Sequence, residues 1–156
     1  MILGLEGLGT FPGYLEGANS KYKRFLLTGF LFIQLNRIRT LSWNPAGQLI
    51  ATGSADRTIR IWNPERPNAR YSTELKGHSA GVEKVAFNPV RDAELASCST
   101  DGTVRFWDVR AKSCIGRLDV GGETFTLSWS ADGSVVLVGR KVCEKECSKY
   151  KYQMGH

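Results

Sequence analysis

Serine, histidine and aspartate side chains occur together in this sequence in a way that suggests hydrolytic chemistry. The stretch "ASCSTDGTVRFWD" (96–108) holds Ser97, Ser99 and Asp101, and one of the two histidines of the chain, His78, precedes Ser97 by 19 residues. A serine nucleophile that is activated by a histidine, itself oriented by an aspartate, is the catalytic group of many hydrolases. The first question is therefore whether this stretch is catalytic or belongs to the framework of the fold.

The surrounding elements favour a framework role. A serine hydrolase of the α/β type places its nucleophile on a G-x-S-x-G turn between a strand and a helix and adds an oxyanion hole. The sequence has neither that turn nor an alternation of strand and helix patterns. We expect no catalytic residue in this chain and no enzymatic activity.

Composition and charge describe an ordinary soluble domain. The 156 residues are 42% hydrophobic and 23% charged, which is enough to bury one core. The net charge of +6 comes from 21 Lys and Arg interleaved with 15 Asp and Glu, so it permits weak attraction to RNA without a concentrated basic stripe. The basic residues singled out as a candidate interaction surface are Arg57, Arg66, Arg70, Lys84 and Arg91.

Metal, cofactor and membrane roles find no support in the residue pattern. The four cysteines lack C-x-x-C spacing, and two histidines cannot complete a zinc ligand set. Reduced thiols suit a nuclear or cytosolic protein. The longest apolar run, "FLLTGFLFI" (25–33), is far shorter than the ~20 residues of a membrane span, and no signal-peptide cleavage site follows it. We predict no metal, no cofactor, no membrane contact and no small-molecule substrate.

An internal repeat is the most informative feature of the chain. "LSWNPAGQLIATGSADRTIRIWN" (41–63) aligns with "VAFNPVRDAELASCSTDGTVRFWD" (85–108), and "LSWSADGSVVLVGRK" (127–141) begins a third copy. The pairs Asp56–Asp101 and Trp62–Trp107 are both 45 residues apart. Each copy consists of short runs rich in β-branched and aromatic residues, separated by N-P, D-G or A-D turn signals. The sequence therefore predicts an all-β fold of repeated sheets.

With "GH" (77–78) ahead of "WD" (107–108), this period resembles the WD-repeat propeller family, in which each repeat forms one four-stranded blade. The resemblance covers residues 37–141. It implies first strands at "IRTLSWNP" and "EKVAFNP", second strands at "LIATGS" and "ELASCS", and third strands at "TIRIWN" and "TVRFWD". The fourth strands are expected at "RYSTELK" and "SCIGRLD".

The resemblance also implies a role for the residues that suggested catalysis. In this family a loop histidine, a strand serine or threonine, a turn aspartate and a third-strand tryptophan form a buried hydrogen-bonded network. Carried over by position, these residues are His78, Ser97 (rather than Ser99), Asp101 and Trp107. Such a network is physically reasonable, because a buried indole N–H needs an acceptor and a histidine can link a serine to an aspartate. The partial equivalents in the first repeat are Thr52, Asp56 and Trp62.

The chain departs from the family in three places. "FIQLNR" stands where the first repeat would carry its G-H, and the third copy stops after "VLVGRK". Residues 1–36 and 142–156 resemble nothing in the family. We expect both segments to derive from translated intron or misannotated exon, and residues 1–36 to be disordered if they are genuine protein. The alternative is a real short isoform with a novel N-terminal segment. The expected architecture is an incomplete propeller of about two and a third blades, which exposes the faces that neighbouring blades would cover.

Function follows from the resemblance alone. Within the family, segments such as "ATGSADRTIRIWNPERPNARYSTELKGHSAGVEKVAFNPV" and "VGGE" (120–123) resemble a branch of nuclear scaffold subunits that couple transcription to the export of messenger RNA. This implies a non-enzymatic scaffold in the nucleus whose partners are other subunits of that export assembly. The alternatives are a general WD-repeat adaptor for protein partners and weak RNA binding through the scattered basic residues.

Overall fold

The computed structural model describes residues 37–64 and 73–141, and the backbone of residues 148–151. Within these ranges the regular secondary structure consists of strands alone, as the repeat predicts. The strands are β1 (Ile38–Trp43), β2 (Ile50–Ser54), β3 (Thr58–Trp62), β4 (Thr73–Lys76), β5 (Val82–Phe87), β6 (Glu94–Ser99), β7 (Thr103–Asp108), β8 (Ser113–Asp119), β9 (Thr124–Trp129), β10 (Val135–Arg140) and β11 (Ser148–Lys151).

These strands form three antiparallel sheets. The first sheet contains β1 to β4, the second contains β5 to β8, and the third contains β9 to β11, each with strands ordered as in the sequence. The predicted strands of the first two repeats all form, which confirms the all-β blade architecture. Strand β4 begins at Thr73, whereas the prediction began at residue 70, and residues 70–72 lie outside the described part of the chain.

The register of the first two strands is the same in every sheet. An aromatic residue ends each first strand and pairs with an aliphatic residue of the second strand. These cross-strand pairs are Trp43–Ile50, Phe87–Leu95 and Trp129–Val136. Because side chains alternate between the two faces of a strand, this common register fixes which residues of each repeat face the previous sheet and which face the next.

The third sheet has a strand that the sequence did not predict. The repeat was expected to stop at residue 141, yet the backbone of β11 pairs antiparallel with β10, with Val136 opposite Tyr150. β11 thus occupies the place that β3 and β7 hold in the other sheets. The unpaired backbone groups along the edge of β10 provide the physical reason, since an exposed strand edge can accept any extended segment.

The core lies in two layers between the sheets. Between the first and second sheets, Ala51, Ile59 and Leu75 pack against Val85 and Trp107, among others. A second layer between the second and third sheets contains the buried residues Ala96, Cys98, Val104, Phe106, Val120, Leu127, Val136 and Val138. The second sheet is therefore covered on both faces, and every residue of β6 is buried. Burial on both faces explains why β6 does not alternate between buried apolar and exposed polar residues, and its polar residues Glu94, Ser97 and Ser99 are buried as well.

Candidate functional site

The four residues proposed for the network come from different elements of the second repeat. His78 lies in the connection between β4 and β5, Ser97 in β6, Asp101 in the turn after β6, and Trp107 in β7. The antiparallel strands β6 and β7 pair Ser97 with Arg105. Since every second residue of a strand points to the same face, Trp107, two residues after Arg105, lies on the same face of the sheet as Ser97. The structure brings all four side chains into contact.

The distances define a continuous chain of hydrogen bonds. Trp107 Nε1 donates to Ser97 Oγ at 2.8 Å. Ser97 Oγ lies 2.8 Å from His78 Nε2, and His78 Nδ1 lies 2.9 Å from Asp101 Oδ2. Because the carboxylate only accepts, Nδ1 carries the proton, and the unprotonated Nε2 accepts from the Ser97 hydroxyl. The hydrogen bonds therefore run in one direction, from Trp107 to Ser97, from Ser97 to His78 and from His78 to Asp101.

Asp101 is also held by the turn in which it lies. Its Oδ1 accepts from Thr103 N at 2.9 Å and from Thr103 Oγ1 at 2.7 Å, and its Oδ2 accepts from Ser79 N at 2.9 Å. The carboxylate therefore ties the β6–β7 turn to the connection that enters β5. Thr103 and Ser79 were not among the residues predicted for the network. A usable signal for Thr103 was present, because Thr58 stands two residues after Asp56 in the first repeat.

Ionisation in the network follows from its surroundings. Burial lowers the pKa of His78 below its ordinary value of 6.5, and this effect exceeds the opposing influence of Asp101. Burial alone would raise the pKa of Asp101, but the hydrogen bonds from Thr103, Ser79 and His78 outweigh it and hold that pKa well below 3.8. Around neutral pH the network contains a neutral imidazole and an ionised carboxylate.

This arrangement has the atoms of a catalytic triad without its accessibility. Ser97 has no exposed surface and His78 is buried. Ser97 Oγ already accepts the Trp107 N–H, and a substrate carbonyl cannot reach an atom enclosed between packed sheets. What the arrangement can do chemically is to satisfy buried polar groups and thereby fix one geometry of the sheet and its turns.

The first repeat builds a related but different arrangement. Trp62 Nε1 donates to Thr52 Oγ1 at 2.9 Å, which matches the contact of Trp107 with Ser97. Asp56 Oδ1 accepts from the backbone N and the Oγ1 of Thr58, at 3.0 Å and 2.6 Å. Burial opposes ionisation of Asp56, yet the hydrogen bonds from Thr58 and Ser54, together with Arg60, lower its pKa. The tryptophan and aspartate contacts are thus formed in both repeats.

The three described basic residues of the proposed interaction surface lie in different elements. Arg57 lies in the turn after β2 and is exposed, with a positive φ of 72° at the place where the second repeat has Gly102. Lys84 lies within β5, and Arg91 lies in the turn between β5 and β6, where Nη1 is 3.1 Å from Glu94 Oε2. Arg57 and Arg91 occupy opposite ends of the strands.

Arg66 and Arg70, the other two members of that set, lie outside the described residues.

The described ranges hold no candidate metal site, and they contain one buried and one exposed cysteine. No group of three or more His, Cys, Asp or Glu side chains in 37–64 and 73–141 is placed to hold a metal ion. Cys98 is buried, and burial raises the pKa of its thiol to about 11, so the thiol is protonated. Cys114 is exposed. Over the same part of the chain, no helix is long and apolar enough to cross a membrane.

Comparison with known proteins agrees with the geometry. The family model for the WD domain, G-beta repeat, matches residues 32–63 and 69–108, which contain the first sheet and most of the second, including all four residues of the network. The chain is a WD-repeat protein. Its WD repeats also resemble those of curated proteins that carry out diverse functions.

THO complex subunit 3 of Arabidopsis thaliana is 34% identical over 67% of this chain and 34% of its own length. Ribosome biogenesis protein YTM1 of Meyerozyma guilliermondii is 36% identical over 69% of this chain and 23% of its own length. Cell division cycle 20.1, cofactor of APC complex, of Arabidopsis thaliana is 25% identical over 72% of this chain and 26% of its own length. The chain therefore spans about a third or less of the length of these relatives.

Proposed function

We propose that this WD-repeat chain is a non-enzymatic scaffold that works in the nucleus with the subunits of a THO-type complex, in the coupling of transcription to the export of messenger RNA. The observation that carries the proposal is the similarity to THO complex subunit 3, at 34% identity over 67% of the chain. The similarity agrees with the branch of the family that the amino-acid sequence of the repeats resembles.

The site geometry supports the scaffold part of this proposal. Ser97, His78 and Asp101 are the side chains that could act as a nucleophile, a base and an acid. They are hydrogen-bonded to one another and enclosed between the sheets. The surfaces available to a partner are the turns at both ends of the sheets, which buried residues hold in place. Rigid turns on a repeat framework are suited to binding protein partners.

A direct test is co-purification from nuclei. The chain, carrying an affinity tag, is expressed in its own source cells, and the proteins recovered with it are quantified. We expect the other THO subunits to be enriched several-fold over a matched Trp107→Ala variant, in which the network is broken. Enrichment of ribosome-biogenesis or anaphase-promoting factors without THO subunits would assign the chain to another assembly and overturn the proposal.

The general-adaptor alternative is decided by that same recovery, whereas RNA binding needs its own measurement. If the basic residues carried the function, RNA affinity would fall steeply with salt, since each phosphate contact releases counterions. The separation of Arg57 from Arg91, together with the ion pair of Arg91 with Glu94, disfavours a shared phosphate-binding surface. We expect a shallow salt dependence and little change in RNA affinity for an Arg57→Gln variant.

A further inference from the structure

Two arginines face each other on neighbouring strands of the second sheet. Strands β7 and β8 are antiparallel, and their register places Arg105 directly opposite Arg117. Directly opposed residues of neighbouring strands point to the same face of the sheet, with Cβ atoms about 4.5–5.5 Å apart. Like charges in such a pair are destabilising, so an anion between the two guanidinium groups would stabilise the sheet.

The first repeat pairs the equivalent arginine with a carboxylate. Arg60, the counterpart of Arg105 in β3, lies opposite Glu74 of β4, and Arg60 Nη2 lies 3.4 Å from Glu74 Oε1. Arg60 Nη2 is also 3.9 Å from Asp56 Oδ2. The second repeat has Arg117 at the position that corresponds to Glu74. It therefore keeps the cation of this pair and lacks the anion.

The guanidinium group of Arg105 is held in place by its neighbours. A Cβ on Gly77 would lie 2.7 Å from Arg105 Nη1 and 3.2 Å from its Cζ, so the guanidinium packs directly on the glycine backbone. Arg105 Nη1 donates to the weak acceptor Cys114 Sγ at 3.9 Å. Within residues 37–64 and 73–141, Arg105 Nε has no acceptor. A fixed guanidinium with spare N–H donors is preorganised to bind an anion.

The carboxylates of the same repeat are engaged elsewhere. Asp101 pairs with His78, and Asp119 Oδ1 accepts from a backbone amide of the next turn at 3.0 Å. In the described part of the chain, neither carboxylate forms an ion pair with Arg105 or Arg117. Burial is the main cause of the lowered pKa of His78, and the charges of both arginines add to it. The two cations therefore act on the same small region of the second sheet.

We infer that Arg105 and Arg117 together bind a carboxylate from an acidic segment of a partner protein. A carboxylate is favoured over a phosphate because Glu74 fills the equivalent place beside Arg60. Two guanidinium groups can donate several charge-assisted hydrogen bonds to one carboxylate. Arg117 is exposed, so the partner reaches the pair from solvent along β8. This binding does not require the partner to be a THO subunit.

The test measures the binding of a fluorescein-labelled peptide of glutamate, glycine and serine to the purified full chain by fluorescence anisotropy. Arg117→Glu recreates the arginine–glutamate pair of the first repeat and so occupies Arg105 from within the sheet. This variant should bind the peptide at least about tenfold more weakly than the parent chain, since a negative charge replaces one of the two cations. A peptide with glutamine in place of each glutamate should not bind the parent chain.

The control is Arg110→Glu, which makes the same change of charge at an exposed residue of the turn between β7 and β8. The part of β7 that follows Arg105 spans about 10 Å, more than the Debye length of about 8 Å at physiological salt. Arg110→Glu should therefore change the peptide affinity by less than about twofold. Arg117→Glu should also raise the melting temperature, because an opposite-charge pair replaces a like-charge pair, and this result shows that the variant is folded.

Four results would overturn the inference. The first is a parent chain that does not bind the acidic peptide at millimolar concentration, and the second is equal weakening of peptide binding by Arg117→Glu and Arg110→Glu. A lower melting temperature for Arg117→Glu would show that the two arginines do not face each other. A single-stranded RNA that binds the parent chain and loses as much affinity as the peptide in Arg117→Glu would assign the pair to phosphate. Co-purification with THO subunits is unaffected by any of these results.

Discussion

At the scale of single residues, Ser97 is the centre of the buried network, because it accepts from Trp107 and donates to His78. Replacing it with alanine leaves an indole N–H and an imidazole nitrogen buried without partners. Each such group costs about 1–3 kcal/mol, so Ser97→Ala should lower the free energy of unfolding by about 2–6 kcal/mol. Urea denaturation measures this change.

Ser113→Ala is the matched control for this change, since Ser113 is exposed in β8. Its effect should stay within about 0.5 kcal/mol, as is usual for surface positions. Equal effects of the two substitutions would contradict the structural role proposed for Ser97.

The ionisation of His78 makes stability depend on pH. Burial lowers its pKa in the folded chain below the ordinary value of 6.5, so the unfolded chain binds the proton more readily. The stabilisation is complete above pH 6.5 and is lost as the pH falls towards the folded pKa. Asp101, whose pKa is also lowered, adds a second loss below pH 3.8.

We expect the urea midpoint of the parent chain to decrease as the pH is lowered through and below 6.5. A His78→Gln variant is less stable at neutral pH but lacks most of this slope, because glutamine does not titrate. A variant with an undiminished slope would show that another group controls the pH dependence.

At the scale of strands and sheets, close approach between sheets is decided by glycine. A Cβ on Gly53 would lie 2.7 Å from both Thr40 Cγ2 and Val82 Cγ1. Gly53→Ala should therefore destabilise the chain by about 1–3 kcal/mol through overpacking. Gly122→Ala is the control, because its nearest atom is the Lys141 carbonyl oxygen at 3.7 Å, an ordinary contact. Thermal denaturation of both variants measures the effect. Similar melting temperatures for Gly53→Ala and Gly122→Ala would contradict the close packing of the sheets at Gly53.

At the scale of the whole molecule, the second sheet contributes to both core layers. Phe106, which is 2% exposed, lies in the layer shared with the third sheet. Phe106→Ala should therefore lower the free energy of unfolding by about 3–5 kcal/mol, because it removes a buried ring and leaves a cavity. Urea denaturation measures the change, and Phe125→Ala, at a residue 44% exposed, is the control. Equal effects of the two substitutions would contradict the role of this layer.

The sequence by itself determined the repeat and most of its strands. The 45-residue spacing of Trp62 and Trp107 places equivalent residues in equivalent strands, because each repeat has the same turn residues and the same apolar pattern. The contacts of Trp107 with Ser97 and of His78 with Asp101 agree with the expectation from the family resemblance. These are local features, which similar stretches of chain form in similar ways.

Only the tertiary structure decided how the strands and sheets are placed relative to one another and which of their residues are buried. It paired β11 with the edge of β10, placed Arg57 and Arg91 at opposite ends of the strands, and left Leu41 exposed while its counterpart Val85 is buried. The sequence assigns Leu41 and Val85 the same position in the repeat. Their surroundings differ because burial depends on the presence of a neighbouring sheet, and that is a property of packing between repeats.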